Sequence, residues 1–169
     1  MRTDSPPTSE RPIEGAVLAF IVIIAATALT AALGGLVSGG ASDPWYQALD
    51  RAPGNPPGFV FGLVWPALYT LMAVGACMVW RTAGSWKGSD SAMGVYFVQL
   101  LANLGWSVLF FGLHRPLIAL IDIAILWVLV VAMILEFGRH SRIASWLQYP
   151  YLAWVSFAAY LNAWVVLFN

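Results

Sequence analysis

The chain has 169 residues, of which 60% are hydrophobic and 9% charged, and its eight basic and eight acidic side chains give a net charge of +0. Because soluble domains carry about 25% charged residues, this composition excludes an ordinary soluble protein and a nucleic-acid-binding one, and it indicates an integral membrane protein. The single cysteine, Cys77, excludes an intrachain disulfide framework and a cysteine metal cluster, so we expect no metal site.

Four apolar runs are long enough to cross a bilayer core, which takes about 20 helical residues, and a fifth qualifies once its few polar residues are allowed for. Helices are expected because backbone polar groups at membrane depth must be paired within their own segment. The predicted spans are 13–37, 59–80, 92–111, 117–137 and 143–168. They predict an all-α membrane protein, a single five-helix transmembrane domain over residues 13–169, with a polar and disordered N-terminal tail at residues 1–12.

The first span is rich in small residues, including Gly34 and Gly35 near its end. Small side chains let membrane helices approach closely, so the predicted role of this span is packing. Its small residues, or those around Ala102 and Gly105 in the third span, would suit the interface of a homodimer.

The one long connection, residues 38–58 (loop 1), is rich in Pro and Gly and follows the first span. Long connections in compact proteins tend to be functional lids or disordered segments, and the apolar anchors Trp45, Tyr46 and Leu49 argue against disorder. Two interpretations stay open for these rings. They anchor a lid over a ligand pocket, or they form an aromatic belt at the membrane interface.

The second and third spans place polar and aromatic side chains on interior faces. Trp65 and Tyr69 lie about 40° apart around the second helix, so both rings point the same way, beside a helix-loosening Pro66. The third span carries Gln99, Asn103, Trp106, Ser107 and Phe110 on one stripe. Unpaired amides facing lipid are costly, so this stripe faces the bundle interior, either as hydrogen bonds between helices or as a pocket wall.

The fourth span holds an ionisable side chain, Asp122, near its start. We expect this carboxylate to reach the headgroup region or to pair with His114 or Arg115. In the fifth span, Tyr151, Trp154, Ala158 and Leu161 form a stripe at steps of three, four and three, and Ala158 would leave a notch for a flat ring.

Orientation follows from the distribution of basic residues, which favour the cytoplasmic side. One side would carry Arg2, Arg11, Arg81, Lys87, Arg139 and Arg142, and the other Arg51 and Arg115. Six basic residues against two predict a cytoplasmic N-terminus and an outward loop 1, in a bacterial inner membrane.

Several motifs occur in order along residues 40–169. They are WY at 45–46, PPGFVFGLVWPALY at 56–69, QLLANLGWSVLFFG at 99–112, ALID at 119–122 and PYLAWVSFAAYLN at 150–162. Together they resemble the translocator protein family, also called TspO/MBR, tryptophan-rich sensory proteins or peripheral-type benzodiazepine receptors, in its bacterial form. The resemblance implies a five-helix bundle, usually a homodimer, with a pocket toward loop 1 that binds porphyrins and isoquinoline-type drugs.

The resemblance also implies site residues. Its ligand-binding positions fall on Tyr46, Pro56, Trp65, Tyr69, Asn103, Trp106, Trp154, Ala158 and Leu161. Trp65 and Trp154 match two tryptophans implicated in light-dependent breakdown of protoporphyrin IX in some bacterial members, and they would be the catalytic residues of such a reaction.

Two departures from the family pattern stand out. Loop 1 has Arg51-Ala52-Pro53-Gly54 where the family usually has Lys-Pro and then an aromatic residue, so the lid is expected to close differently. No Lys or Arg follows Leu161, although the cholesterol-recognition pattern requires one. Cholesterol is therefore not an expected partner.

Three functions remain open from the sequence. The first is a membrane protein that binds or senses tetrapyrroles, such as protoporphyrin IX or haem, and isoquinoline-type ligands, with no cofactor of its own. The second is an enzyme for light-dependent porphyrin degradation. The third is a transporter of porphyrins or other small hydrophobic molecules, although the chain offers no evident inverted repeat and few ionisable residues at membrane depth.

Overall fold

The computed structural model describes residues 11–39 and 43–169. Most of the expected N-terminal tail lies outside the described residues, so its disorder stays a prediction. The helices are α1 (Arg11–Ser38), α2 (Pro44–Ala48), α3 (Gly58–Ala83), α4 (Asp90–Ser107) continued by a π-helical segment (Val108–Gly112), α5 (Pro116–His140), α6 (Arg142–Trp146) and α7 (Tyr149–Phe168). No strand occurs in the described ranges.

Five helical stretches are long and apolar enough to cross a membrane. They are Gly15–Ser38, Gly58–Ala83, Asp90–Gly112, Pro116–His140 and Arg142–Phe168. The predicted all-α, five-helix fold is thereby confirmed.

Two irregularities in these spans were not predicted. The last span is divided into α6 and α7, and α7 starts anew with Pro150 in its first turn, where a missing backbone N–H costs nothing. The third span ends in a π-helical segment whose last ring closes with a 2.8 Å bond from Leu113 N to Val108 O. Such bulges widen a helix locally and are frequent at functional sites.

The core of the bundle lies around α5, which packs on α4 and α7, while α1 packs on α3 and α4. The predicted interior stripe of α4 is confirmed by burial. Gln99, Asn103, Trp106, Ser107 and Phe110 are all at most 8% exposed.

A chain of hydrogen bonds joins three helices in this core. The Tyr69 hydroxyl on α3 donates to Asn103 Oδ1 on α4. Asn103 Nδ2 donates over 2.9 Å to the Tyr151 hydroxyl on α7, which in turn donates over 3.0 Å to Gln99 Oε1. The side-chain amides of Gln99 and Asn103 therefore form hydrogen bonds between helices. This was one of the two interpretations of the stripe, the other being a pocket wall.

Gly75 lets α3 approach the turn between α6 and α7. A Cβ at Gly75 would collide with Nε2 of the fully buried Gln148, which donates to the Ala144 carbonyl over 3.0 Å. We expect Gly75→Ala to lower the free energy of unfolding by about 1–3 kcal/mol, the usual cost of overpacking, in a denaturant titration in detergent. Gly94→Ala is the control, because no atom lies within 4 Å of its Cβ position. Equal stability of the two variants would contradict the close approach.

Candidate functional site

A cavity of about 650 Å³ lies beneath loop 1, between α1, α3 and the end of α4. Five of the nine predicted ligand-binding residues line it. They are Tyr46, Pro56, Trp65, Tyr69 and Trp106. Residues that were not predicted also line it, among them Ala31, Gly34, Gly35 and Ser38 of α1, Arg51 and Asn55 of loop 1, and Phe61, Gly62, Ser107 and Phe111.

Aromatic rings form the membrane side of this cavity. The rings of Trp65 and Tyr69 stack at 5.6 Å between centroids and 30° between planes, as their spacing on the second span predicted. Trp106 stacks on Phe110 at 5.5 Å and 19°, and it meets the ring of Phe111 edge to face at 5.8 Å. The π-helical segment carries both phenylalanines and so brings Phe111 to the cavity.

Loop 1 is anchored at its first end by contacts with the connection between α4 and α5. The half-buried Trp45 ring stacks on His114 at 4.3 Å and 18° and packs on the edge of Phe110. His114 Nε2 lies 4.0 Å from Asp43 Oδ2, and Asp43 also caps α2 through the Trp45 N–H. His114 adopts a left-handed backbone conformation (φ 53°), which is uncommon outside glycine. These contacts favour the lid interpretation of loop 1 over the interfacial belt.

The second end of loop 1 is tied to the end of α7. Asp50 N donates to Asn169 Oδ1 over 2.8 Å, and Asn169 Nδ2 donates back to the Asp50 carbonyl over 3.2 Å. The Tyr160 hydroxyl donates to the Pro53 carbonyl over 3.2 Å. The described part of loop 1 is therefore held near Trp45 and again near Asp50 and Pro53, and it lines the cavity between and beyond these contacts.

The loop side of the cavity is polar. The Tyr46 hydroxyl donates to Asn55 Oδ1 over 2.8 Å. Burial raises the pKa of the Tyr46 hydroxyl, whereas the bond to Asn55 and the positive charge of Arg51 act in the opposite direction. Tyr46 thus stays a neutral hydrogen-bonding group at physiological pH.

The other four predicted site residues lie outside the cavity wall. Asn103 does not line the cavity but accepts a hydrogen bond from the hydroxyl of Tyr69, which does. Trp154 packs on Trp65 edge to face, with 6.5 Å between ring centroids and 88° between planes. Ala158 and Leu161 border a separate space of about 20 Å³. The notch expected at Ala158 therefore has room for about one water molecule and none for a flat ring. Both residues are at most 9% exposed, because neighbouring side chains close around them.

The model of the TspO/MBR family matches residues 19–167. The chain belongs to this family. The resemblance that the motifs indicated is thereby confirmed.

Three proteins named as tryptophan-rich or translocator proteins are similar to this chain over most of its length. The chain is 42% identical to "Tryptophan-rich protein TspO" of Chlorobaculum tepidum over 127 residues, 74% of this chain and 79% of that protein. It is 35% identical to "Tryptophan-rich sensory protein" of Cereibacter sphaeroides over 143 residues, 85% of this chain and 86% of the relative. It is 34% identical to "Translocator protein" of Bos taurus over 131 residues, 77% of this chain and 78% of the relative. TspO/MBR membership and five apolar helices make this a multi-pass integral membrane protein with a binding or sensing role.

The α1 wall of the cavity is the part of this TspO/MBR site that sequence reasoning missed. Gly34 and Gly35 were predicted to serve packing alone, yet both line the cavity. A Cβ at Gly34 would lie 3.5 Å from Ser107 Oγ and 3.9 Å from the Tyr69 hydroxyl. Adjacent glycines at the end of a span, next to a long loop, were the available signal, because a space between packed helices needs small side chains on at least one wall.

Asp122 does not have the predicted partner. Its Oδ1 faces α4, at 3.3 Å from the Cβ position of Gly105, and its buried Oδ2 has no hydrogen-bond partner within the described residues. His114 pairs with Asp43 instead. The predicted pairing with His114 or Arg115 was wrong, because the missing side chain of Gly105 leaves room for the carboxylate beside α4, whereas its reach toward the headgroup region stays a prediction. Within residues 11–39 and 43–169, no three His, Cys, Asp or Glu side chains lie together in a group that could hold a metal ion.

Proposed function

We propose that the protein binds tetrapyrroles, such as protoporphyrin IX or haem, and isoquinoline-type aromatic ligands in the cavity beneath loop 1. The observation that carries the proposal is the aromatic cavity of about 650 Å³, within the range of about 300–1,000 Å³ typical of small-molecule sites. Indole rings stack on flat macrocycles and can donate one hydrogen bond, and Trp65 and Trp106 both line this cavity. The relatives named as sensory and translocator proteins support a binding role.

The same proposal includes a homodimer in a bacterial inner membrane, with loop 1 outside. The orientation is supported by the placement of basic residues at helix ends. Arg81 lies in the last turn of α3 and Arg139 in the last turn of α5. Lys87 follows α3 and Arg142 begins α6, at the same end of the bundle, opposite loop 1. Such an excess of Lys and Arg marks the cytoplasmic side.

A second candidate function is light-dependent breakdown of the bound porphyrin, and one contact favours it. Trp154 packs on Trp65 at 6.5 Å between ring centroids, so the second indole of the pair lies directly behind the cavity wall. The Trp154 Nε1 group is buried and has no hydrogen-bond partner within the described residues. A free indole N–H beside a ring that faces the ligand would suit electron or proton transfer during photochemistry.

Titration with protoporphyrin IX tests the binding proposal. We expect saturable quenching of tryptophan fluorescence by protoporphyrin IX in detergent, in the dark, because several indoles lie at the cavity. Quenching that rises linearly without saturation would contradict it and would favour the transporter alternative.

Illumination of the same complex separates binding from catalysis. As a binding protein, the wild-type chain should leave the porphyrin absorption spectrum unchanged in light. If it is an enzyme, Trp65→Phe and Trp154→Phe should slow spectral loss at least tenfold while the dissociation constant changes less than threefold. Trp146→Phe is the control, because this indole is 65% exposed and lies away from the cavity. Equal photobleaching with Trp146→Phe and with both test variants would exclude the enzymatic alternative.

A further inference from the structure

Arg51 is the charged side chain at the cavity. Of the residues lining the cavity, all of which the structure describes, only Arg51 carries a full charge at pH 7. The ion pairs found within residues 11–39 and 43–169 are His114 with Asp43 and Arg139 with Glu136, so no carboxylate pairs with Arg51 there. The guanidinium is exposed at the loop side. The cavity thus offers one cation and no anion to a ligand.

The cavity is also divided along its depth. Ser38, Asn55 and Arg51 supply polar groups at the end near loop 1, whereas Trp65 and Trp106 supply aromatic surface between the helices. A ligand that fills the whole space must therefore be apolar at one edge and polar at the other. The polar edge that complements a lone cation is an anion.

We propose that Arg51 recognises a carboxylate on the ligand, so that among flat apolar ligands the cavity binds acids more tightly than neutral molecules of the same shape and holds them with the acid group at loop 1. This inference rests on the proposed binding function and adds the chemical class and the orientation of the ligand. A guanidinium forms two parallel hydrogen bonds with a carboxylate, which fixes the acid group in direction as well as in position.

Arg51 is exposed, but it differs from an ordinary surface arginine because it lines a cavity. Exposed ion pairs contribute little, because water and salt screen them. A charge at the mouth of a cleft with apolar walls acts more strongly, since the walls focus its field. The anchored ends of loop 1, through Asp50 with Asn169 and Tyr160 with Pro53, hold Arg51 over the opening.

Protoporphyrin IX and its dimethyl ester test this inference, because they share the macrocycle and differ in charge. We expect Arg51→Gln in the full-length chain to weaken binding of the acid about tenfold and binding of the ester less than twofold. Arg51→Lys should weaken binding of the acid less than Arg51→Gln does. The ammonium group keeps the positive charge but cannot form two parallel hydrogen bonds with one carboxylate. For each porphyrin, the variant's dissociation constant is divided by the wild-type value. Partition of the porphyrin into micelles affects both values equally, so it cancels in this ratio.

The control is Arg115→Gln, which removes an exposed arginine at the same end of the bundle that does not line the cavity. It should leave both affinities unchanged. Equal weakening of acid and ester by Arg51→Gln, or equal weakening of the acid by Arg115→Gln, would overturn the inference while leaving the binding function intact. Failure of the wild type to bind either porphyrin would overturn the binding function, and this inference with it.

Discussion

Replacing Asn103 with leucine is expected to lower the free energy of unfolding by about 2 kcal/mol and to weaken porphyrin binding about tenfold. Asn103 accepts from the Tyr69 hydroxyl and donates to the Tyr151 hydroxyl over 2.9 Å. Leucine would leave the Tyr69 donor without an acceptor and remove a donor from Tyr151, and each unsatisfied buried group costs about 1–3 kcal/mol. Binding should weaken as well, because Tyr69 lines the cavity and would lose the bond that orients its ring.

A denaturant titration in mixed micelles and a porphyrin titration measure the two effects. The matched control is Ser156→Ala. At this exposed position the Ser156 hydroxyl accepts a 2.9 Å hydrogen bond from Trp127 Nε1, which joins α7 to α5 and which alanine removes. Single bonds of that kind contribute about 0.6 kcal/mol in membrane proteins. If Asn103→Leu destabilises the bundle no more than Ser156→Ala does, the hydrogen-bond chain is not the element that orders Tyr69.

Replacing Gly34 with leucine is expected to weaken porphyrin binding at least thirtyfold while the protein still folds. The first added carbon has room, at 3.5 Å from Ser107 Oγ and 3.9 Å from the Tyr69 hydroxyl. The three further carbons must then extend into the cavity. Stability should change little, because replacing a helical glycine gains about 0.8 kcal/mol of helix propensity, which offsets some crowding.

Gly15→Leu is the control for this change. It lies on the same helix, and no atom lies within 4 Å of its Cβ position, so affinity should stay at the wild-type value. Wild-type affinity in Gly34→Leu, measured by the same titration, would mean that the ligand does not occupy the space next to α1.

The sequence was sufficient for the fold because the physics of a bilayer leaves few choices. Apolar runs of about 20 residues must be helices in a membrane, and amides at membrane depth, such as Gln99 and Asn103, must face the interior of the bundle. The relation between Trp65 and Tyr69 followed from helical periodicity alone, and their rings do stack. The order and spacing of the motifs along residues 40–169 indicated the TspO/MBR family.

The shape of the site depended on contacts between distant segments, which periodicity does not specify. Loop 1 could be assigned to the lid only after Trp45 was found stacked on His114, 69 residues away. The π-helical segment that brings Phe111 to the cavity depends on a local departure from the 3.6-residue period. The adjacent glycines Gly34 and Gly35 are compatible both with close helix packing and with a space between helices, so the sequence signal was present and only the cavity lining showed which role applies.

The most direct test of the account is the crystal structure of the complex with zinc protoporphyrin IX, located by the anomalous signal of zinc. The account predicts one zinc peak beneath loop 1, in the cavity between Trp65 and Trp106. A second space of about 680 Å³ lies between α1 and α3, lined in part by Phe20, Thr27 and Arg81. A zinc peak there, with the cavity beneath loop 1 empty, would contradict the proposed site.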